Sequence, residues 1–143
     1  GYMTRILTGG LMGTFMWANV WFVIWPAQQV VIRSAEQVAG GGEPIPEAAA
    51  RGGKAGMASR TNTLLSLPML YFMVASIHGT QASGGVWGGE MSTTALVIGL
   101  AIVVLIEANA IWGKMMNAIQ SVSAVITSSL ILTVIMAGVV HYA

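Results

Sequence analysis

Between Gly13 and His78 the chain carries two apolar blocks, GTFMWANVWFVIWPAQQVV and TNTLLSLPMLYFMVASIH, held apart by a polar connection. That connection contains Arg33, Arg51, Lys54 and Arg60, four of the six Lys and Arg residues. A bilayer's hydrocarbon core is roughly 30 Å thick and takes about 20 apolar residues in a helix to cross. Two further apolar runs follow, so the pattern predicts four transmembrane helices, over residues 6–31, 63–79, 94–113 and 118–142. The second is short for a span, at about 17 residues. The first should bend or end at Pro26, which has no N–H for the Phe22 carbonyl and whose ring crowds that turn. Only elements that satisfy their own backbone survive in lipid, so the expected fold is all-α: an integral membrane four-helix bundle in one domain.

Charge content points the same way. Of 143 residues 55% are hydrophobic and 8% charged, and the mean hydropathy is +0.75. A soluble domain carries about 25% charged residues. A chain this poor in charge cannot clothe a water-facing surface. With a net charge of +1 and no basic cluster, a nucleic-acid partner is not expected. The absence of Cys excludes disulfides, thiolate metal sites and c-type haem attachment.

The connections set the orientation. Residues 32–62, which include VAGGGEPIPEAAARGGKAG, read as a flexible excursion. Within it EPIPEAAAR is suited to opening one short helix, with Glu47 in its first turn. Residues 80–93 read as a Gly-rich loop and 114–117 as a tight turn with Lys114. Neither Gly-rich run follows a strand or carries the Lys and Ser/Thr of a phosphate loop. Five basic residues fall on one side and only Arg5 on the other. The positive-inside rule then puts 32–62 in the cytoplasm, with both termini and the Gly-rich loop outside.

Few side chains in the apolar blocks carry chemistry. Trp17, Trp21 and Trp25 recur every four residues on one helix face. Such a stripe walls a haem, quinone or pigment at a subunit interface, or forms a ridge facing lipid or a partner, with Trp25 in the interfacial belt. Asn19 lies near mid-membrane and should bond a neighbouring helix. Gly9 and Gly13 form a GxxxG, and Ser121, Ala124 and Ser128 a small-residue face on the last helix, both suited to close packing. The two histidines, His78 and His141, end two helices on the same side, where they are haem or metal ligands or interfacial residues. No Glu-x-x-His motif supports a di-metal site, and no metal is expected. Glu107, in VVLIEANAIWG, is the sharpest single residue. It stands about 10 Å along the helix from Lys114, so inside the membrane. An acid there faces protein or a water-filled cavity. It serves as a proton relay, as counter-charge to a partner's Arg, or as a protonated carboxyl bonded to Asn19 or to a serine of the fourth helix.

The run GTFMWANVWFVIWPAQQVV followed by NTLLSLPMLYFMV resembles the bacterial urate oxidase N-terminal membrane-domain family. Gly13, Thr14, Met16, Ala18, Asn19, Val20, Phe22, Ile24, Pro26 and Gln28 fit its first motif helix. Asn62, Leu65, Leu67, Pro68, Leu70 and Met73 fit the second, and order and separation agree over about half the chain. The resemblance implies a multi-helix membrane protein, linked in many members to a periplasmic cytochrome c, that oxidises urate and passes electrons to that cytochrome. The chain departs from the pattern at Thr61, where the family has His, and at Ala75–His78, where the family reads Ser-Asn-His-Tyr. It also has Glu107 where the family tends to be basic. The family's preceding helices and its haem domain are not in this stretch.

The residues therefore lead to an accessory transmembrane subunit of a bacterial redox or energy-converting complex, packed against other membrane subunits and lipid. The alternatives are a shortened urate-oxidase-like membrane domain passing electrons to a cytochrome c, and a haem- or pigment-binding electron carrier.

Overall fold

The computed structural model of the protein describes residues 1–82, 92–113 and 119–142, with the backbone alone for 79–82. Most of the Gly-rich loop and the turn carrying Lys114 lie outside the described residues. Within them the chain is helical, without strands.

The first helix does not end at Pro26. It runs unbroken from Tyr2 to Ala39, as α1 (Tyr2–Ala18), a π-helical segment (Asn19–Ile24) and α2 (Trp25–Ala39). The Trp25 N–H bonds the Val20 carbonyl five residues back, which adds one residue to the turn just ahead of the proline. In α register the ring would be set against the Phe22 carbonyl; the wider turn takes up that conflict and the helix continues.

α2 stops at a glycine. Gly41 adopts φ +83°, a left-handed conformation that costs a side-chain-bearing residue dearly. Gly42 N–H then donates to the Gln37 carbonyl (2.9 Å) and Gly41 N–H to that of Val38 (3.0 Å), closing the helix end as a Schellman motif. α3 begins at Ala48 and continues for 35 residues to Ala82. Residues 32–62 are thus mostly helical and not a flexible excursion, and the short helix expected after Pro46 is the start of a long one. Close approaches hold this hairpin, among them a bond from Gln37 Nε2 to the Glu43 carbonyl (2.6 Å). Ser34 Oγ accepts from the Ile45 N–H (3.0 Å), and a Cβ on Gly52 would stand 3.5 Å from Val31 Cγ2. Small residues in α3 let α2 lie close. Glu47 stands just before α3 and pairs with Arg51 (3.3 Å).

α4 (Thr93–Trp112) is capped by Ser92, whose hydroxyl accepts from Ala95 N–H (3.2 Å). α5 (Val122–Tyr142) is capped the same way by Ser121 through Ala124 N–H (3.1 Å). Among the described residues three helices are long and apolar enough to cross a membrane: Tyr2–Ala39, Thr93–Trp112 and Val122–Tyr142. α3 carries its apolar block in its C-terminal half and is the element on which all the others pack.

Contacts fix the directions. Gly9 meets Phe72 and Met73, while Asn19 meets Asn62, so α1 and α3 are antiparallel. Thr8 meets Gly99 and Asn19 meets Glu107, so α1 and α4 run the same way. Around the bundle the order is α1, α3, α5, α4, with α1 and α4 running one way and α3 and α5 the other. One end bears the α2–α3 hairpin; the far end holds the start of α1 and the ends of α3 and α5. Met12, Leu65, Phe72, Val103, Met136 and Val140 form the main apolar core, and Met57, Ile119 and Val125 a smaller one toward the hairpin. Arg5 is not in a loop. It lies in the first turns of α1 and is buried.

Candidate functional site: a buried polar junction

Along α3 the two apolar cores are separated by Asn62, and there three helices exchange hydrogen bonds. Asn19 Nδ2 donates to Asn62 Oδ1 (3.0 Å) and to Glu107 Oε2 (3.1 Å). Asn62 Nδ2 donates in turn to the Met16 carbonyl of α1 (3.0 Å). Asn19 is 2% exposed and Glu107 6%. Both amide hydrogens of Asn19 are therefore used in a place that water scarcely reaches. The local sequence explains the placement. Asn19 is the first residue of the π-helical segment, and such turns recur at functional sites because they redirect side chains. Glu107 falls on the one face of α4 that is buried, with Ala95, Gly99 and Val103. Glu107 thus meets another helix, and Asn19 is the partner, as one of the sequence expectations had it. Asn62 was visible in the sequence only as a motif residue. Its role follows once α1 and α3 are antiparallel, which brings it level with Asn19.

A second polar contact repairs α3. Pro68 lies inside that helix and leaves the Leu64 carbonyl without its N–H. The Ser129 hydroxyl of α5 donates to that carbonyl at 2.7 Å. The face of α5 turned into the bundle is Val125, Ser129, Met136 and Val140. It is not the expected Ser121, Ala124, Ser128 face. Ser121 is exposed and caps the helix, and Ala124 and Ser128 are half-buried. Spacing alone did not separate these stripes, because α5 is apolar all round.

The remaining candidates divide. A Cβ on Gly9 would stand 3.2 Å from both Phe72 Cβ and Met73 Sδ, so helices cross closely there, whereas Gly13 has open space. The GxxxG contributes one packing glycine, not two. Trp17, Trp21 and Trp25 are each exposed by more than half, and the Trp17 ring meets Phe22 edge-on with centroids 5.9 Å apart. They form an outward ridge. His78 and His141 are both exposed, near the C-terminal ends of α3 and α5 at the far end of the bundle, with His141 edge-on to Tyr142 (4.6 Å).

These features define a small helical bundle of membrane-spanning type, with an Asn–Asn–Glu junction joining three of its helices. The chain belongs to the family described as urate oxidase N-terminal, whose model matches residues 2–141. The likeness read from two motif helices thus extends over nearly the whole chain. No curated protein and no solved structure matches it.

Proposed function

We propose that the protein is an accessory transmembrane subunit of a bacterial membrane redox or energy-converting complex. It lies in the inner membrane with the α2–α3 hairpin in the cytoplasm and both termini in the periplasm, as the basic bias of the hairpin requires. The observation that carries this reading is how its polar and aromatic groups are divided. Asn19 bonds both Asn62 and Glu107 and so fixes three helices, while Trp17, Trp21, Phe22 and Trp25 stand outward on a ridge. A ridge of this kind packs against partner subunits, where it can also confine a quinone, haem or pigment. Affinity capture of the tagged chain from gently solubilised membranes tests it. Defined membrane partners should co-purify and be lost with Trp17→Ala/Trp21→Ala while helical content is kept. Recovery of the chain alone contradicts the proposal.

Membership of the family over residues 2–141 favours a second reading, in which the chain is the membrane part of a urate-oxidising system that hands electrons to a periplasmic cytochrome c. Urate-dependent cytochrome c reduction by membranes containing the chain, absent from membranes without it, decides for this reading. A third reading makes His78 and His141 haem ligands, since both sit at the same end of the bundle. It requires a Soret band in the purified complex that disappears when both are replaced.

A further inference from the structure

One groove lies away from the polar junction. Its volume is about 450 Å³, and it is bounded by the first long helix around Pro26, the start of α3 and the end of α4. Its chemistry is ordered. Toward the hairpin stand Glu47, Arg51 and Lys54; toward the membrane-spanning part stand Phe22, Pro26 and Ala110. Phe22 is 70% exposed, so the groove's apolar rim opens sideways to the lipid side. Trp25 and Trp112 are exposed at the same level. Exposed tryptophans gather at the membrane–water interface, so the charged end lies at headgroup depth and the apolar end at acyl depth. Arg51 pairs with Glu47, but at an exposed i,i+4 position that leaves the guanidinium weakly held. Lys54 makes no ion pair among the described residues. The groove thus has one net positive charge at the end where a lipid phosphate would lie.

We propose that this groove holds one anionic phospholipid of the surrounding membrane. Its headgroup phosphate lies against Arg51 and Lys54, and an acyl chain runs over Phe22, Pro26 and Ala110. Basic pockets between helices at the cytoplasmic side suit such lipids. A free anion would leave the apolar half unused, and a neutral quinone would leave the two cations unused.

The test is native mass spectrometry of the delipidated full chain, offered equal phosphatidylglycerol and phosphatidylcholine of matched acyl chains. One phosphatidylglycerol per chain should be retained in preference. Each basic residue near a membrane surface adds about fivefold in affinity for anionic lipid, so Arg51→Gln/Lys54→Gln should weaken retention about 25-fold. Arg33→Gln, also on the hairpin but outside the groove, should not change it. Ala50→Trp, at an exposed position lining the groove, fills the space with both cations intact and should abolish retention. Circular dichroism confirms that each variant keeps its helices. Equal retention of the two lipids overturns the proposal, as does an unchanged preference in Arg51→Gln/Lys54→Gln or in Ala50→Trp. Displacement of the lipid by millimolar inorganic phosphate also overturns it, because the acyl chain would then contribute nothing.

Discussion

Pro26 and Pro68 each interrupt a long helix, and the protein deals with them in opposite ways. At Pro26 the backbone answers locally: the register widens to a π turn and the helix runs on to Ala39. At Pro68 the helix keeps its α register, and the orphaned Leu64 carbonyl is satisfied by Ser129 from α5. In lipid no water is available for a freed carbonyl, so some repair is obligatory. The two repairs have different consequences. The π turn begins at Asn19 and so shapes the polar junction, tying the first proline to the site. The serine joins α3 to α5, tying the second proline to bundle packing. A proline in a membrane helix is thus better read by what answers it than as a break.

The largest effect should come from removing the amide that the π turn presents. Asn19→Leu leaves Glu107 and Asn62 without their shared donor and should lower bundle stability by about 3 kcal/mol, since each unpaired buried group costs about 1–3 kcal/mol. Reversible unfolding in mixed micelles measures it. Next is Ser129→Ala, which uncovers the Leu64 carbonyl and should cost about 2 kcal/mol. In a Pro68→Ala background the helix regains its own N–H, and the same substitution should cost no more than about 0.5 kcal/mol. An equal cost in both backgrounds would break the contrast between the prolines. Smaller again is Gly9→Ala, whose Cβ would press on Phe72 and Met73 and should cost about 1 kcal/mol. Gly13→Ala, facing open space, should be neutral within about 0.5 kcal/mol. The smallest effect should be Glu107→Gln. The amide oxygen still accepts from Asn19, so stability should hold within about 0.5 kcal/mol. A large loss of partner binding or turnover in that variant, with stability intact, would mark Glu107 as a charge or proton site and not only a fastener.

Much of this was legible before the fold. Helices in lipid follow from apolar length, so all four apolar helices were located from the sequence, and three of them, among the described residues, are long and apolar enough to cross a membrane. Asn19 and Glu107 stood out because polar side chains in such runs must find one another. What the pattern hid has physical causes. Residues 32–62 looked loose because Gly52, Gly53 and Gly56 each disfavour a helix by about 1 kcal/mol relative to Ala. That local preference lost to packing against α2, where Gly52 admits Val31. The buried stripe of α5 was missed by one position, Ser129 in place of Ser128, because no polar face opposes it. Asn62 needed the antiparallel pairing of α1 and α3 before its level could be compared with that of Asn19.

The central claim is that the Asn19–Glu107 hydrogen bond fastens the bundle where the π turn places it. A double-mutant cycle with Asn19→Leu, Glu107→Leu and the pair tests this most directly, read as unfolding free energy in mixed micelles. Interhelical hydrogen bonds in membranes couple by about 0.6 kcal/mol on average and reach about 1.7 kcal/mol. The Asn19–Glu107 pair, with both side chains buried, should fall at the upper end, near about 1.5 kcal/mol. Additivity of the two single substitutions, with no coupling, would contradict the account.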